Sequence, residues 1–324
     1  MKPAAPFQEF YQAELLPHLQ ELEDWRKRVV RQSASAGIVI GIITLIAAMA
    51  VLVYAPHPAI ALIPVVLGAI VWAILYTRYS KKWIAEFKDN IIGRIVKYVD
   101  PGLSYDRKGF IPESVYWQST LFLKDPDRYR GEDLVYGKVG ATEVKFSEIH
   151  SEYRTEHSDG KGRRRTEWHT IFKGIFFVAD FNKHFTGTTV VLPDTAEKLF
   201  GRLGQMFQSW NIARTGDLVR LEDVAFEERF VVYSTDQIEA RYLLSPSLMA
   251  RILDFRTRTN REVYLAFVAS NIYVAIANLR DMFEPKVFSS VLDMTLAHQY
   301  LDDLTLAVSI VDELNLNTRI WTKQ

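Results

Sequence analysis

The sequence contains no cysteine, which excludes disulfides, thiolate metal sites and cysteine nucleophiles. This absence is consistent with a reducing compartment. No HExxH or GxSxG motif occurs, and the glycines form neither a phosphate-binding loop nor a dinucleotide fingerprint. These absences argue against the common zinc protease, serine hydrolase and nucleotide-dependent classes of enzyme. We therefore expect a non-enzymatic protein without a cofactor.

An excess of positive charge is also lacking, because 39 Lys and Arg residues are balanced by 39 Asp and Glu residues. Proteins that bind nucleic acid usually carry a basic surface together with aromatic side chains that stack on bases. Neither feature is evident in this sequence, so we do not expect nucleic acid among its partners.

Charge is missing altogether from one continuous stretch, because no Asp, Glu, Lys or Arg occurs between Ser33 and Tyr76. Its two apolar runs, 33–54 and 59–76, are 22 and 18 residues long, and a helix of 22 residues reaches about 33 Å. Pro56 and Pro58 separate the two runs. The pattern predicts a transmembrane hairpin over 33–76; a buried helical hairpin in a soluble core is the alternative.

Basic residues flank this hairpin on both sides, whereas its tip offers only His57. By the positive-inside rule, both termini are expected in the cytoplasm and the protein in the bacterial inner membrane, with two spans. A signal peptide is not expected, because the first run is too long for one and begins some thirty residues into the chain. The basic residues are Arg26, Lys27, Arg28 and Arg31 before the first span, and Arg78, Lys81 and Lys82 after the second.

The first apolar run carries small residues at every fourth position, Ser33, Gly37 and Gly41. Such a ridge allows another helix to approach closely. The second span of the same chain is the default neighbour, and a homo-oligomer is the other expectation.

Amphipathic segments are predicted on either side of the hairpin. In the N-terminal segment 1–32, leucines recur at helical spacing, and an interruption or kink of this helix is expected at Pro17. In the segment 77–103, large apolar residues recur in the same way. Because the two segments flank one hairpin, they are expected to pair as an antiparallel cytoplasmic stalk.

The region 104–324 changes to alternating and β-branched patterns, which predict an α+β domain with an antiparallel sheet and packed helices. Strands are predicted at 143–153, 167–181, 186–194 and 226–234, with a strand pair over 263–277. The first of these slips out of alternation at Glu148 and Ile149, as a β-bulge would. Helices are predicted at 195–210, at 245–258 after the Ser245–Pro246 start signal, and at roughly 287–314.

Two blocks in this region, 170–194 and 230–253, resemble a bacterial inner-membrane family of unknown function. The resemblance implies an inner-membrane protein and, because members are often encoded beside LemA-family proteins, a LemA-like membrane protein as a candidate partner. It implies no catalytic residues.

The strands predicted at 143–153 and 167–181 are expected to form a long antiparallel hairpin, and four histidines, His150, His157, His169 and His184, lie in or near it. Two or three of them could meet at metal-ligand distances across paired strands. No further ligand motif accompanies them, so we interpret them as polar residues and predict no metal site.

A basic segment, Lys161, Arg163, Arg164 and Arg165, lies between the strands predicted at 143–153 and 167–181. Such a tip could contact anionic lipid headgroups, although a solvated loop has the same composition. The function expected from the sequence is therefore that of a membrane-anchored interaction or scaffold protein. The alternative function is a lipid-sensing module at the membrane surface that uses the basic tip.

Overall fold

The computed structural model describes residues 4–54, 57–158, 164–181, 185–194, 216–278 and 280–317. Contacts divide the chain into two compact units, which are Met1–Ile95 with Phe283–Tyr300, and Val96–Met282 with Leu301–Gln324. We call them the helical unit and the sheet unit. The segment 283–300 thus belongs with the N-terminal helices, whereas the sequence suggested a single domain over 104–324.

Long helices dominate the N-terminal part of the chain. They are α1 (Ala4–Phe10), a π-helical turn (Tyr11–Leu15), α2 (Leu16–Tyr54), a 3-10 turn (Pro58–Ala61), α3 (Leu62–Phe87), a second π-helical turn (Lys88–Ile92) and α4 (Gly93–Val99). Pro17 does not interrupt α2, in which it is the second residue. The wider π-helical turn Tyr11–Leu15 directly precedes α2, and such a turn accommodates the missing N–H and the ring of a proline.

Helices α2 and α3 pack against each other through small residues and two tryptophans. The indole N–H of Trp72 donates to the Ser33 carbonyl, and that of Trp83 donates to the Leu22 carbonyl, both at 2.9 Å. A Cβ atom added to Gly68 would collide with Thr44. The segments that were expected to pair on either side of the hairpin thus lie partly on α2 and α3, and both helices continue without a break into the apolar hairpin.

Both helices are long and apolar enough to span a membrane. Their apolar segments are almost entirely uncovered, and Val53 on α2, for example, is 76% exposed. A soluble core helix would bury these side chains. Other large apolar residues that are at least half exposed include Ile38, Ile43, Leu45 and Ile46 on α2, and Leu62, Ile63, Val66 and Leu67 on α3.

The sheet unit contains nine antiparallel strands among its described residues, in the order β1-β2-β3-β4-β9-β8-β5-β7-β6. The strands are β1 (Leu103–Asp106), β2 (Arg128–Val139), β3 (Thr142–Ser158), β4 (Arg164–Asp180), β5 (Thr188–Pro193), β6 (Asp217–Val219), β7 (Phe230–Ser234), β8 (Val263–Val268) and β9 (Asn271–Ala277). The helices are α5 (Glu113–Gln118), α6 (Val224–Glu227), α7 (Gln237–Leu243), α8 (Pro246–Thr259) and α9 (Met294–Glu313), whose residues to Tyr300 count with the helical unit. The predicted α+β class is confirmed.

Two predicted elements begin later than expected. The segment 226–234 first completes the short helix α6 and becomes a strand only at Phe230. The last helix begins at Met294 rather than near 287, and the Asp293 carboxylate accepts the N–H of Thr295 at its start. The helix predicted at 195–210 lies outside the described residues.

Strand alternation gives the sheet two faces. One face packs an aromatic and aliphatic core that includes Tyr116 of α5, Phe176 of β4 and Tyr273 of β9. Ser147 lies on this face, where its hydroxyl accepts the N–H of Ile111 at 3.0 Å. Its neighbour Glu148 therefore points to the opposite face.

The glycines of α2 generate the first prediction. A Cβ atom on Gly37 would lie 2.9 Å from Nε1 of Trp72, whereas a Cβ on Gly41 would meet nothing within 4 Å. Gly37→Ile should therefore displace Trp72, break its bond to Ser33 and destabilise the hairpin by about 2 kcal/mol. Gly41→Ile is the matched control and should leave thermal stability in mild detergent unchanged. A Gly37→Ile variant as stable as wild type would contradict this packing.

Candidate functional site

A two-stranded arm extends from the sheet where β3 and β4 outrun their neighbours. The pairing of β3 with β4 continues to Ser158 and Arg164, but β2 pairs with β3 only as far as Glu152, and β9 pairs with β4 only from Gly174. We call residues 153–158 and 164–170 the arm. An isolated two-stranded ribbon is only marginally stable in water, so the arm is a natural place for a partner to add contacts.

Cations of the same chain cover the aromatic rings at the base of the arm. The guanidinium carbon of Arg128 lies 3.4 Å from the centroid of the Trp168 ring, and the ammonium of Lys124 lies 4.9 Å from that of Tyr153. The ring of His169 stacks on Tyr153 at 5.0 Å. These contacts stiffen the base of the arm through cation–π attraction and stacking.

The basic residues predicted to contact lipid are only partly described. Arg164 and Arg165 are exposed on β4, and Nε of Arg165 lies 3.4 Å from the Glu167 carboxylate. Lys161 and Arg163 lie outside the described residues. Two exposed arginines, one of them beside an acid, give this part of the arm only a small positive charge.

A groove of about 460 Å³ lies at the end of α5, on the sheet face that carries the aromatic core. Its floor follows one register row across four strands, Tyr136, Lys145, Val178 and Tyr273. Lys138 and Glu143 form an ion pair of 3.2 Å at its margin. The groove therefore presents both signs of charge beside two tyrosines, which suits a polar peptide segment better than a single anion.

On the opposite face, Glu148 is a buried carboxylic acid surrounded by further acids. It accepts the backbone N–H of Met282 at 2.7 Å. Burial is the main cause that raises its pKa to about 7, and the charges of Asp281, Asp133 and Glu132 add to it, whereas the Met282 hydrogen bond acts in the opposite direction. Lys173 lies within electrostatic range, but it pairs with Asp281 at 2.7 Å.

The histidines do not form a metal centre in the part of the chain that the structure describes, where no group of three potential ligands comes together. His169 is within 2.8 Å of the Thr155 hydroxyl, and His150 is within 3.5 Å of that of Thr170. The side chains of His157 and His184 lie outside the described residues.

In the helical unit, residues 283–293 form a return segment that is held on the N-terminal helix by its backbone. Arg26 donates to the Val287 carbonyl at 3.0 Å, and the Val291 N–H donates to Glu23 at 3.1 Å. The Tyr11 hydroxyl donates to the Leu292 carbonyl at 2.9 Å. Two side chains of α2 and one of the preceding π-helical turn therefore fix the path of a segment distant in sequence.

Glu23 and Arg26 reinforce each other as they hold the return segment. Nε and Nη2 of Arg26 donate to the two oxygens of Glu23 at 2.9 and 2.7 Å. The hydrogen bond from Arg26, together with that from Val291, lowers the pKa of Glu23 to about 2. A second ion pair joins the buried Lys88 to Glu284 at 2.5 Å.

Three aromatic rings form a stack at one end of the apolar helices. Trp72 stacks on Tyr76 with ring centroids 5.7 Å apart, and Tyr76 stacks on Phe288 of the return segment at 5.5 Å with 7° between the ring planes. Phe288 nevertheless remains 66% exposed. The stack thus carries a large apolar surface at the boundary of the uncharged stretch.

Of the three small residues predicted to form a packing ridge, two contact α3 and one does not. Ser33 is buried and its carbonyl accepts the indole N–H of Trp72, and Gly37 faces the same indole ring, whereas Gly41 lies apart from α3.

The return segment could not be predicted from the sequence, because its contacts use backbone atoms. The only available signal was the Glu23–Arg26 pair, and an acid and a base three residues apart are common on solvent-facing helices.

These observations define an α+β protein with an apolar helical hairpin and no recognisable catalytic constellation among the described residues. Residues 170–316 match the model of a family described as a protein of unknown function (DUF3137). The match includes the blocks 170–194 and 230–253 and confirms the predicted resemblance to a family of unknown function. No curated protein matches the chain.

One solved structure in the comparison is the crystal structure of the mycobacterial trehalose monomycolate transport factor A, TtfA. The similarity covers 66% of this chain and 95% of that one, with 13% identity and a TM-score of 0.31. A likeness at this level supports neither a shared fold nor a shared function.

The environment of Glu148 generates the second prediction. Because its folded pKa of about 7 exceeds the ordinary value of 4.5, its contribution to stability is greatest below pH 4.5 and declines as the pH rises towards 7. The free energy of unfolding should fall by up to about 3 kcal/mol across this range. Glu148→Gln keeps an acceptor for Met282 and should remove this decline, as measured by thermal unfolding of the full chain in detergent between about pH 5 and pH 8.

Glu143→Gln is the matched control, because Glu143 lies on the same strand but is exposed. It should unfold with the pH dependence of the wild type. The assignment would be wrong if Glu148→Gln also retained the wild-type dependence.

Proposed function

We propose that the protein is a non-enzymatic, membrane-anchored binding protein of the bacterial inner membrane, with two spans and both termini in the cytoplasm. The uncovered apolar surface of α2 and α3 supports the anchoring. Contiguous apolar surface of this extent is not stable in water, and a helix satisfies its own backbone hydrogen bonds within a bilayer. The basic flanks of the two helices support the orientation.

The observation that carries the binding function is the arm. Its two strands leave their outer edges without neighbouring strands in the described part of the sheet, and such edges can pair with an added strand. We therefore propose that a membrane protein partner binds the arm, and a LemA-like protein is the candidate that the family resemblance suggests. Lipid sensing is the second candidate function, favoured by the exposed Arg164 and Arg165.

The proposed topology is tested with single cysteines, since the natural chain has none. In intact cells stripped of their outer membrane, His57→Cys should react with a membrane-impermeant maleimide, whereas Gln324→Cys should not. Both variants should react after the inner membrane is permeabilised, which controls for reactivity. Reaction of Gln324→Cys alone in intact cells would reverse the orientation.

The proposed binding function is tested by photocrosslinking in native membranes. A photoreactive amino acid at the exposed position Glu156 should crosslink the full chain to one discrete protein, and the same group at Ile238, 82% exposed elsewhere on the sheet unit, should not. The crosslink should persist after Lys161, Arg163, Arg164 and Arg165 are replaced by alanine.

The opposite result would favour lipid sensing. In that case Glu156 would crosslink to lipid rather than protein, and the four alanine substitutions would abolish both this crosslink and binding to anionic vesicles. Vesicle binding would also weaken as salt screens the surface charge.

A further inference from the structure

The return segment presents one apolar ring outward while it buries its neighbours. Val287 and Val291 are buried, whereas Phe288, between them, is 66% exposed and is followed by the exposed Ser289 and Ser290. A single exposed apolar side chain is common on protein surfaces, but the Phe288 ring continues the aromatic stack of Tyr76 and Trp72. It therefore extends the apolar surface of the hairpin at one end of the uncharged stretch.

The exposure of Phe288 does not result from a poorly held segment. Arg26 binds the carbonyl of Val287, the residue before it, and Glu23 binds the N–H of Val291 three residues after it. The ring itself lies parallel to that of Tyr76, within 7°. Backbone and side chain are thus held in one direction by the same helices that carry the apolar hairpin.

The level of the ring along those helices is defined by two residues. Tyr76 is the last residue of the uncharged stretch, and Trp72, on which it stacks, donates to the carbonyl of Ser33, the first residue of that stretch. The exposed Arg31 and Arg78 lie two residues beyond its ends. In a membrane this level is the boundary between acyl chains and headgroups, where aromatic side chains are most favourable.

We infer that the return segment is a third membrane contact, in which Phe288 inserts beside Tyr76 and Trp72 into the interfacial layer of the bilayer. The ligand is the phospholipid interface, and the exposed Lys286 lies two residues away, where an anionic headgroup would attract it. This inference rests on the proposed membrane anchoring. It assigns the C-terminal half of the chain a lipid contact that no apolar run in its sequence marks.

The test uses the full chain in nanodiscs of phosphatidylcholine and phosphatidylglycerol. A fluorophore is placed on single cysteines, and quenching is measured with nitroxide lipids labelled near the headgroup or deep in the acyl chain. Ser289→Cys keeps Phe288 intact and should lose more than about half of its fluorescence to the shallow quencher and less to the deep one.

Two positions control the measurement. Leu67→Cys, within the apolar part of α3 and 57% exposed, should be quenched most by the deep nitroxide, and Ile238→Cys on the sheet unit should be quenched by neither. Phe288→Ser in the Ser289→Cys background should reduce the shallow quenching, because the ring that holds the segment at the interface is lost.

The outcomes separate the inference from the anchoring on which it rests. If Leu67→Cys is quenched but Ser289→Cys behaves like Ile238→Cys, the inference is overturned and the anchoring stands. If Leu67→Cys is not quenched, the anchoring itself fails. If a label at Ser289 is shielded from both nitroxide lipid and aqueous iodide, a protein covers the segment and the inference is again overturned.

Discussion

The uncharged stretch from Ser33 to Tyr76 is the constraint on which the rest of the helical unit depends. It gives α2 and α3 a surface that is unfavourable in water, and it sets the position along both helices at which charged residues begin again. Because α2 runs without a break from Leu16 to Tyr54, Glu23 and Arg26, which hold the return segment, are on the same helix as the apolar surface. The placement of Phe288 beside Tyr76 is therefore a consequence of helix geometry rather than of local loop sequence.

Two buried carboxylates show how environment decides the role of the same chemical group. Glu23 faces the Arg26 guanidinium and a backbone N–H, so it stays ionised and holds the return segment. Glu148 also accepts a backbone N–H, but the other charges that dominate its environment are acidic, so ionisation is unfavourable near neutral pH. The first carboxylate strengthens its contact through charge, whereas the second makes the sheet unit sensitive to pH.

The long periodic features could be predicted from the sequence, and the features that depend on distant backbone atoms could not. The absence of charge marked the apolar helices, and Ser245 does cap α8, since its hydroxyl accepts the N–H of Leu248. The slip at Glu148 and Ile149 was assigned to a bulge in β3, but the extra residue lies in β2, between Glu132 and Val135. Both Glu148 and Ile149 are buried because both faces of the sheet are covered there, and alternation on one strand cannot reveal what covers each face.

The contacts within the arm restrict how a partner could recognise it. The rings of Trp168 and Tyr153 already have cations of the same chain over them, so they offer a partner little apolar surface. What remains accessible is the backbone along the two outer edges of the ribbon beyond Arg154, where the described strands provide no neighbour. The N–H of Arg154 itself already donates to the Asp127 carboxylate at 2.8 Å. Recognition through these edges would rely on main-chain hydrogen bonds and strand register, which tolerate changes in side chains. A binding surface of this kind leaves little trace in a single sequence. The residue pattern predicts the two paired strands and the basic tip between them, but it does not reveal how far these strands extend beyond their neighbours.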